Sequence, residues 1–141
     1  MAVSKAAEAG YIKEFTVASN DNKGNISMVG GLVNFQYFES IMDNTVKVSA
    51  VFNDTGDSIN GKTARSGLPI VTEEKVTIKI EDNNKNTLEF SDKKNNPLFI
   101  KNCTPLSEDT RKEVLNLYCV SGEAIKNSRV VLRSRFDGKI S

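Results

Sequence analysis

Residues 32–53 read LVNFQYFESIMDNTVKVSAVFN, and the alternation of their side chains sets the fold class. Val33, Phe35 and Tyr37 fall at every second position, as do Val46, Val48, Ala50 and Phe52. A period of two is the pattern of strands with one buried face, and Asp43-Asn44 between the two runs is turn chemistry. The stretch predicts an antiparallel pair with a slightly long connection, from which the remaining strands build outward. No catalytic residue stands out in it, so the function it points to is one of shape and contact.

Working outward, YIKEFTVA at residues 11–18 has strand character. Asn20 to Gly24 supplies Asn and Gly for the positive φ angles of a hairpin turn, and Ile26 to Val29 returns. Gly30-Gly31 marks a bulge or corner before the organising pair. Val76, Ile78 and Ile80 alternate with Thr77, Lys79 and Glu81 in the clearest strand of the chain, and after an Asp82–Asn86 turn Thr87 to Phe90 pairs back. Leu98 to Thr104 and Glu113 to Val120 are the last two strands, joined by a loop around Pro105. Apolar residues occupy both faces from Val114 to Val120, the pattern of a central strand covered on both sides.

A helix is expected next. Ser121 is placed as its N-cap, Glu123 suits the positive end of its dipole, Ile125, Leu132 and Phe136 form an apolar stripe, and Gly138 ends it. Lys126, Arg129 and Arg133 share one basic face. The fold class is therefore mainly β, a barrel or sandwich of antiparallel strands with one α-helix near the C-terminus. Residues 1–10 read as a flexible arm, and residues 11–141 as a single β domain whose ending looks cut short before a following one.

Composition narrows the function classes. The chain has 141 residues, enough for a core without disulfides or metals. Nineteen basic residues against 18 acidic ones leave a net charge of +1, so no global field favours nucleic acid or an anionic membrane, and a nucleic-acid contact would need a local basic patch. No apolar run approaches the roughly 18 residues of a membrane span, and the first ten residues lack the apolar centre of a secretory signal. Cys103 and Cys119 fall on different predicted strands and read as buried, reduced thiols.

There is no His, which removes the commonest general base and zinc ligand, and neither cysteine has an imidazole to activate it. Gly56 to Thr63 formally matches GxxxxGKT. The sequel Ala64 to Pro69 carries Gly and Pro where a phosphate-binding helix should run, so the match reads as a flexible loop. The acidic pairs Glu73-Glu74 and Asp54 with Asp57 lack calcium-loop spacing. The reading is of a non-enzyme without cofactor or metal.

Several strings point further. Val33 to Ile41, continuing through Asp43 to Val46 and Asp54-Thr55-Gly56, resembles the start of the baseplate hub proteins of T4-like contractile-tailed bacteriophages. Gly67-Leu68-Pro69-Ile70, the Val120 to Ala124 junction and Arg135 to Ser141 fit the same family in the same order, so the resemblance covers most of residues 11–141. It implies a structural virion protein: the hub forms a trimeric ring between the membrane-piercing spike and the tail tube. Each hub chain carries two tube-like β-barrel domains that present a pseudo-sixfold surface to the tube. This sequence matches the first of them only, whereas the family's hubs are much longer.

The resemblance implies homo-oligomers, with the tail tube and central spike proteins as partners, a place in the tail baseplate after assembly in the host cytoplasm, and no membrane or specific nucleic-acid contact. By that analogy Asp57, Ile59, Lys62 and Arg65 in the long loop from Asp54 to Pro69, and Lys126, Arg129 and Arg133 on the basic helix face, are the candidate subunit contacts. Other readings are a tail tube or another baseplate structural protein, or a small β-barrel binding module for carbohydrate or single-stranded nucleic acid. Such a module exposes aromatic platforms. The chain has no Trp, and Phe35, Tyr37, Phe52 and Phe90 fit a core pattern better.

Overall fold

The computed structural model describes residues 10–20, 24–55, 62–67, 70, 72–109 and 112–131. The expected N-terminal arm lies almost wholly outside them. Among these residues eight strands form one sheet: β1 (Tyr11–Ala18), β2 (Asn25–Ser27), β3 (Leu32–Phe38), β4 (Lys47–Asp54), β5 (Lys75–Glu81), β6 (Thr87–Phe90), β7 (Leu98–Glu108) and β8 (Glu113–Ser121). Among the described residues two α-helices accompany it, the single turn α1 (Ala64–Gly67) and α2 (Gly122–Arg129), with short 3-10 turns at Val29–Gly31 and Asp92–Lys94. The chain is thus mainly antiparallel β with one longer helix after the last strand, as its alternation predicts.

Every strand pairing is antiparallel, in the order β2-β1-β5-β7-β8-β4-β3, with β6 beside β5. The organising pair forms as expected: Phe35 faces Ala50 and Tyr37 faces Val48. That hairpin docks through β4 onto β8, which lies between β7 and β4 and is central, as its apolar run predicts. The sheet curls over its own inner face. Phe15 of β1 meets Phe35 of β3 edge to face, with ring centroids 6.3 Å apart, and Tyr37 of β3 lies 6.0 Å from Phe90 of β6. Strands far apart in the sheet order therefore touch across one core, where Val17, Val48, Val76, Ile78, Leu98, Ile100 and Leu117 are fully buried.

The Gly30-Gly31 corner is a 3-10 turn over Val29–Gly31. Gly31 is needed there for space: a Cβ would lie 2.4 Å from both the Asn53 carbonyl oxygen and the Phe52 ring, whereas a Cβ on Gly30 would meet nothing within 4 Å. The returning strand before this corner is shorter than expected, Val29 having joined the turn.

Four expectations are corrected. Val33 is 68% exposed, because the register shifts between Leu32 and Asn34 and the bulge hands the inward place to Leu32. Pro105 is not in a loop. It pairs with Leu115 inside β7, next to a second register shift and beyond the Lys75–Phe99 and Val76–Leu98 pairs that tie β7 to β5. A bulge on a strand half lacking a second neighbour is where a residue without an N–H is tolerated.

The helix is shorter than its apolar stripe suggests. α2 stops at Arg129, and Val130 is extended. Ser128 Oγ donates to the Ile125 carbonyl at 2.8 Å, and the β-branched pair Val130-Val131 follows; both oppose helix continuation. Leu132, Phe136 and Gly138 lie outside the described residues. Finally, α2 buries none of its side chains, so the second face of β8 is only partly covered: Val114, Asn116 and Tyr118 are half-buried there.

Candidate assembly surface

The long loop is closed at its base by two contacts. Asp54, at the end of β4 and fully buried, accepts a hydrogen bond from the main-chain N–H of Ala64. Arg65 Nη1 lies 3.0 Å from Glu113 Oε1, and Glu113 is the register partner of Asp54 on β8. Thr63 Oγ1 accepts from the Ser66 N–H at 3.2 Å, so the first turn of α1 is capped by Thr63 and Asp54 together. In a phosphate-binding loop this helix start would be left for an anion. Here the Ala64 N–H already serves a carboxylate of the chain.

The acidic pair Glu73-Glu74 is split by its backbone. Glu73 has φ 66° and reaches Arg129 of α2 in an ion pair, while Glu74 is buried. Among the described residues no three His, Cys, Asp or Glu side chains gather in a way that could hold a metal ion. Cys103 on β7 and Cys119 on β8 are free thiols on adjoining strands, Cys103 facing Leu117 and Cys119 facing Ile100. Burial pushes the Cys119 thiol up to about 12, and burial likewise raises that of Cys103, against the pull of Arg65.

The residues proposed from sequence as contacts fall in two separate places. Lys62 and Arg65 stand by the start of β8, whereas Lys126 and Arg129 follow its end, about nine strand residues or roughly 30 Å away. Lys126 and Arg129 share the exposed side of α2, though Arg129 is engaged by Glu73 within the chain. Asp57, Ile59 and Arg133 lie outside the described residues.

A different surface is the more unusual one. Among the described residues β3 ends the sheet, pairing with β4 alone, and LVNFQYF contains neither a charge nor a proline. Natural sheets guard such edges with Lys, Pro or inward charges. Beyond it, the connection from Glu39 to Val46 carries an apolar tip: Phe38 is 51% exposed, Met42 91% and Ile41 100%.

The tip is tightly built. Asp43 Oδ1 accepts from the Thr45 N–H at 3.1 Å and the Thr45 hydroxyl at 2.8 Å, and its other oxygen pairs with Lys47. The Asp43 N–H donates to the Ser40 carbonyl at 3.1 Å, and the Met42 N–H to Ser40 Oγ at 3.2 Å. The Lys47 ammonium, then the Thr45 hydroxyl, hold the Asp43 carboxyl below its ordinary range. At the root of the tip, partial burial first, then the 2.7 Å hydrogen bond it donates to Glu39, lift the Tyr37 phenol to about 12.

The polar part of this connection, Glu39, Ser40 and Asp43 to Val46, walls a cleft of about 520 Å³ against the Asp92–Pro97 turn and the start of α2. Two hydrogen bonds fasten that wall: the Val46 N–H donates to Ser121 Oγ at 3.2 Å, and the Ser121 N–H to the Val46 carbonyl at 3.0 Å.

No protein-family model, curated protein or solved structure matches the chain. The surface must therefore be read from its own chemistry. Sequence reasoning passed over Ile41 and Met42 because they interrupt neither alternating run. The signal was available in the apolar pair Ile41-Met42 standing beside Asp43-Asn44 in a turn, where polar side chains are the norm. The buried trio Asp54, Glu74 and Glu113 carried no such signal.

Proposed function

We propose that the chain is a structural virion protein, the tube-like first domain of a baseplate hub that joins the central spike to the tail tube of a contractile phage tail. It works by assembling with copies of itself, three by resemblance, and with tube and spike proteins, and it carries out no catalysis. The observation that supports this most is the uncharged outer strand β3, whose open side is a template for a neighbouring chain. The family resemblance of the strings from Val33 to Thr55 falls on this same hairpin and adds the phage context.

The binding-module alternative draws less support. The strongly exposed aromatic rings among the described residues are Tyr11 on β1 and Phe38 on β3, on different strands, while Phe35 and Tyr37 pack inward. Stacking a base or sugar needs rings gathered on one surface.

Light scattering on the purified chain over a wide concentration range tests the proposal. A mass that levels off at a small whole number of chains, three above all, is expected. A strict monomer at every concentration, with or without a C-terminal extension of the polypeptide, overturns it.

A further inference from the structure

We infer that the segment following α2, residues 132–136, closes the cleft at the mouth of the sheet within its own chain. The cleft, about 520 Å³, stands where β3 runs into β4, β8 ends and β7 begins. Sites for small ligands span roughly 300–1,000 Å³, and the mouths of β-barrels are among the places where they form. Buried Phe90 and half-buried Val46, Pro97 and Phe99 supply the apolar side of this one. Residues 132–136 read LRSRF and lie outside the described residues.

Reach, charge and pattern select this segment as the occupant. α2 starts in the cleft, with Gly122, Glu123 and Lys126 among its walls, and Arg129 is ion-paired with Glu73, two residues before the wall residue Lys75. The eight residues of α2 advance about 12 Å, a distance that four extended residues retrace. The backbone is already extended at Val130. Charge supplies the match. Lys75 pairs with Asp92, and Asp43 with Lys47, whereas among the described residues Glu39 and Glu123 have no ion-pair partner and stand against Lys126 alone. Arg133 and Arg135 bring two guanidiniums to those two carboxylates. In an extended segment alternate residues share a side, so Leu132 and Phe136 fall together and the two arginines fall opposite. One side then suits the aromatic rings of the cleft and the other its acidic rim. A short tether gives an effective concentration on the order of millimolar, so a handful of contacts suffices where a separate partner needs about 800 Å². Any partner that uses the cleft must first displace the segment.

The test reads backbone amide shifts in the full chain. Asn95, Gly122 and Glu123 report on the cleft, and Thr16 and Thr77, paired between β1 and β5, report on the fold. Two variants act on the segment, Phe136→Ala and the double reversal Arg133→Glu with Arg135→Glu. Each should move the cleft amides and leave Thr16 and Thr77 in place. A synthetic LRSRF peptide should then bind the Phe136→Ala chain at least tenfold more tightly than the parent, whose cleft is filled. Reversing the rim, Glu39→Arg with Glu123→Arg, should abolish binding of that peptide. Cleft amides unmoved by both segment variants, shifts as large at Thr16 and Thr77 as in the cleft, or equal peptide affinity for parent and Phe136→Ala would each overturn the closure. Cleft shifts of the parent that change with protein concentration would overturn it too, since they assign the segment to a neighbouring copy. None of these outcomes bears on the mass in solution, which tests the assembly of copies separately.

Discussion

The Asp54 carboxylate takes the main-chain N–H of Ala64, ten residues later, at a fully buried site. The strand end and the first turn of α1 are thereby one unit, with Arg65 bonded to Glu113 on the neighbouring strand. Asp54→Ala leaves a buried N–H without its acceptor, which costs about 1–3 kcal/mol. The urea midpoint should fall accordingly, and Asp54→Asn, which keeps an acceptor oxygen, should lose less. An unchanged midpoint for the alanine variant would show that the loop base is not part of the cooperative fold.

Two adjacent glycines should differ sharply. Gly31→Ala drives a methyl into the Asn53 carbonyl and the Phe52 ring, an overpacking that costs typically about 1–3 kcal/mol. Gly30→Ala meets nothing and should melt within about 0.5 kcal/mol of the parent. Equal melting temperatures for the two variants would contradict the close approach at Gly31.

The thiols should react in order. At pH 8 Cys103, half-buried, should take up a disulfide reagent slowly, and Cys119 only on unfolding, since burial keeps it protonated. The linkage has a definite sign. Between about 8.5, where an exposed thiol ionises, and about 12, where folded Cys119 does, the unfolded chain loses a proton that the folded chain keeps. Stability is therefore whole below that window and declines as pH rises through it, and Cys119→Ser should flatten the decline. Simultaneous labelling of both cysteines in the native protein would refute the ordering.

At the acid end the sign reverses. Asp43 is lowered by Lys47 and then Thr45, Glu81 by Lys13 and then Tyr11, and Asp82 by the Asn86 side chain. These carboxylates protonate more easily in the unfolded chain. Their contribution is present above the ordinary carboxylate range and is lost as pH falls through their depressed folded values. Amide protection at Thr45 and Asn86, measured against the intrinsic exchange rate at each pH, should fall in that acid range, and Asp43→Asn should remove the pH dependence of protection at Thr45 while leaving it at Asn86. Identical exchange profiles in parent and variant would discount the Asp43 knot.

Arg129→Glu sets two like charges face to face with Glu73 across an exposed pair. Exposed pairs are worth about 1 kcal/mol or less, so the fold should persist. Should the basic face of α2 also carry a subunit contact, the mass by light scattering will drop in this variant while the melting temperature barely moves. An unchanged mass removes the face from the list of contacts.

What could be read in the residues, and what could not, divides along the range of the forces involved. The β3–β4 pair, β5 and β6 were legible because alternation is a local property of the chain and burial on one face enforces it. Val33 broke the pattern only because one extra residue at the bulge reverses which side chain points inward. Pro105 looked like a loop because its cost depends on whether a neighbouring strand needs its missing N–H, a fact about β5 thirty residues earlier. The end of α2 was hidden by an apolar spacing that continues past Arg129, while Ser128 and Val130 decide the backbone. Asp54 gave no hint of burial, since its partners arrive from α1 and from β8, some sixty residues on.

The order of pairing in the sheet bears on how the chain reaches this structure. The β3–β4, β5–β6 and β7–β8 hairpins close over short connections and can form early. The β1–β5 and β4–β8 seams join residues some sixty to seventy positions apart, whose loop-closure entropy must be met before any contact repays it. Acquisition of the native state is then expected on the millisecond-to-second scale of high-contact-order β domains. Until β8 is in place, β4 as well as β3 stands unpaired on its outer side. During synthesis the nascent hairpin at residues 32–54 is the segment most at risk of joining the wrong chain, and its protection depends on how quickly the last strand leaves the ribosome.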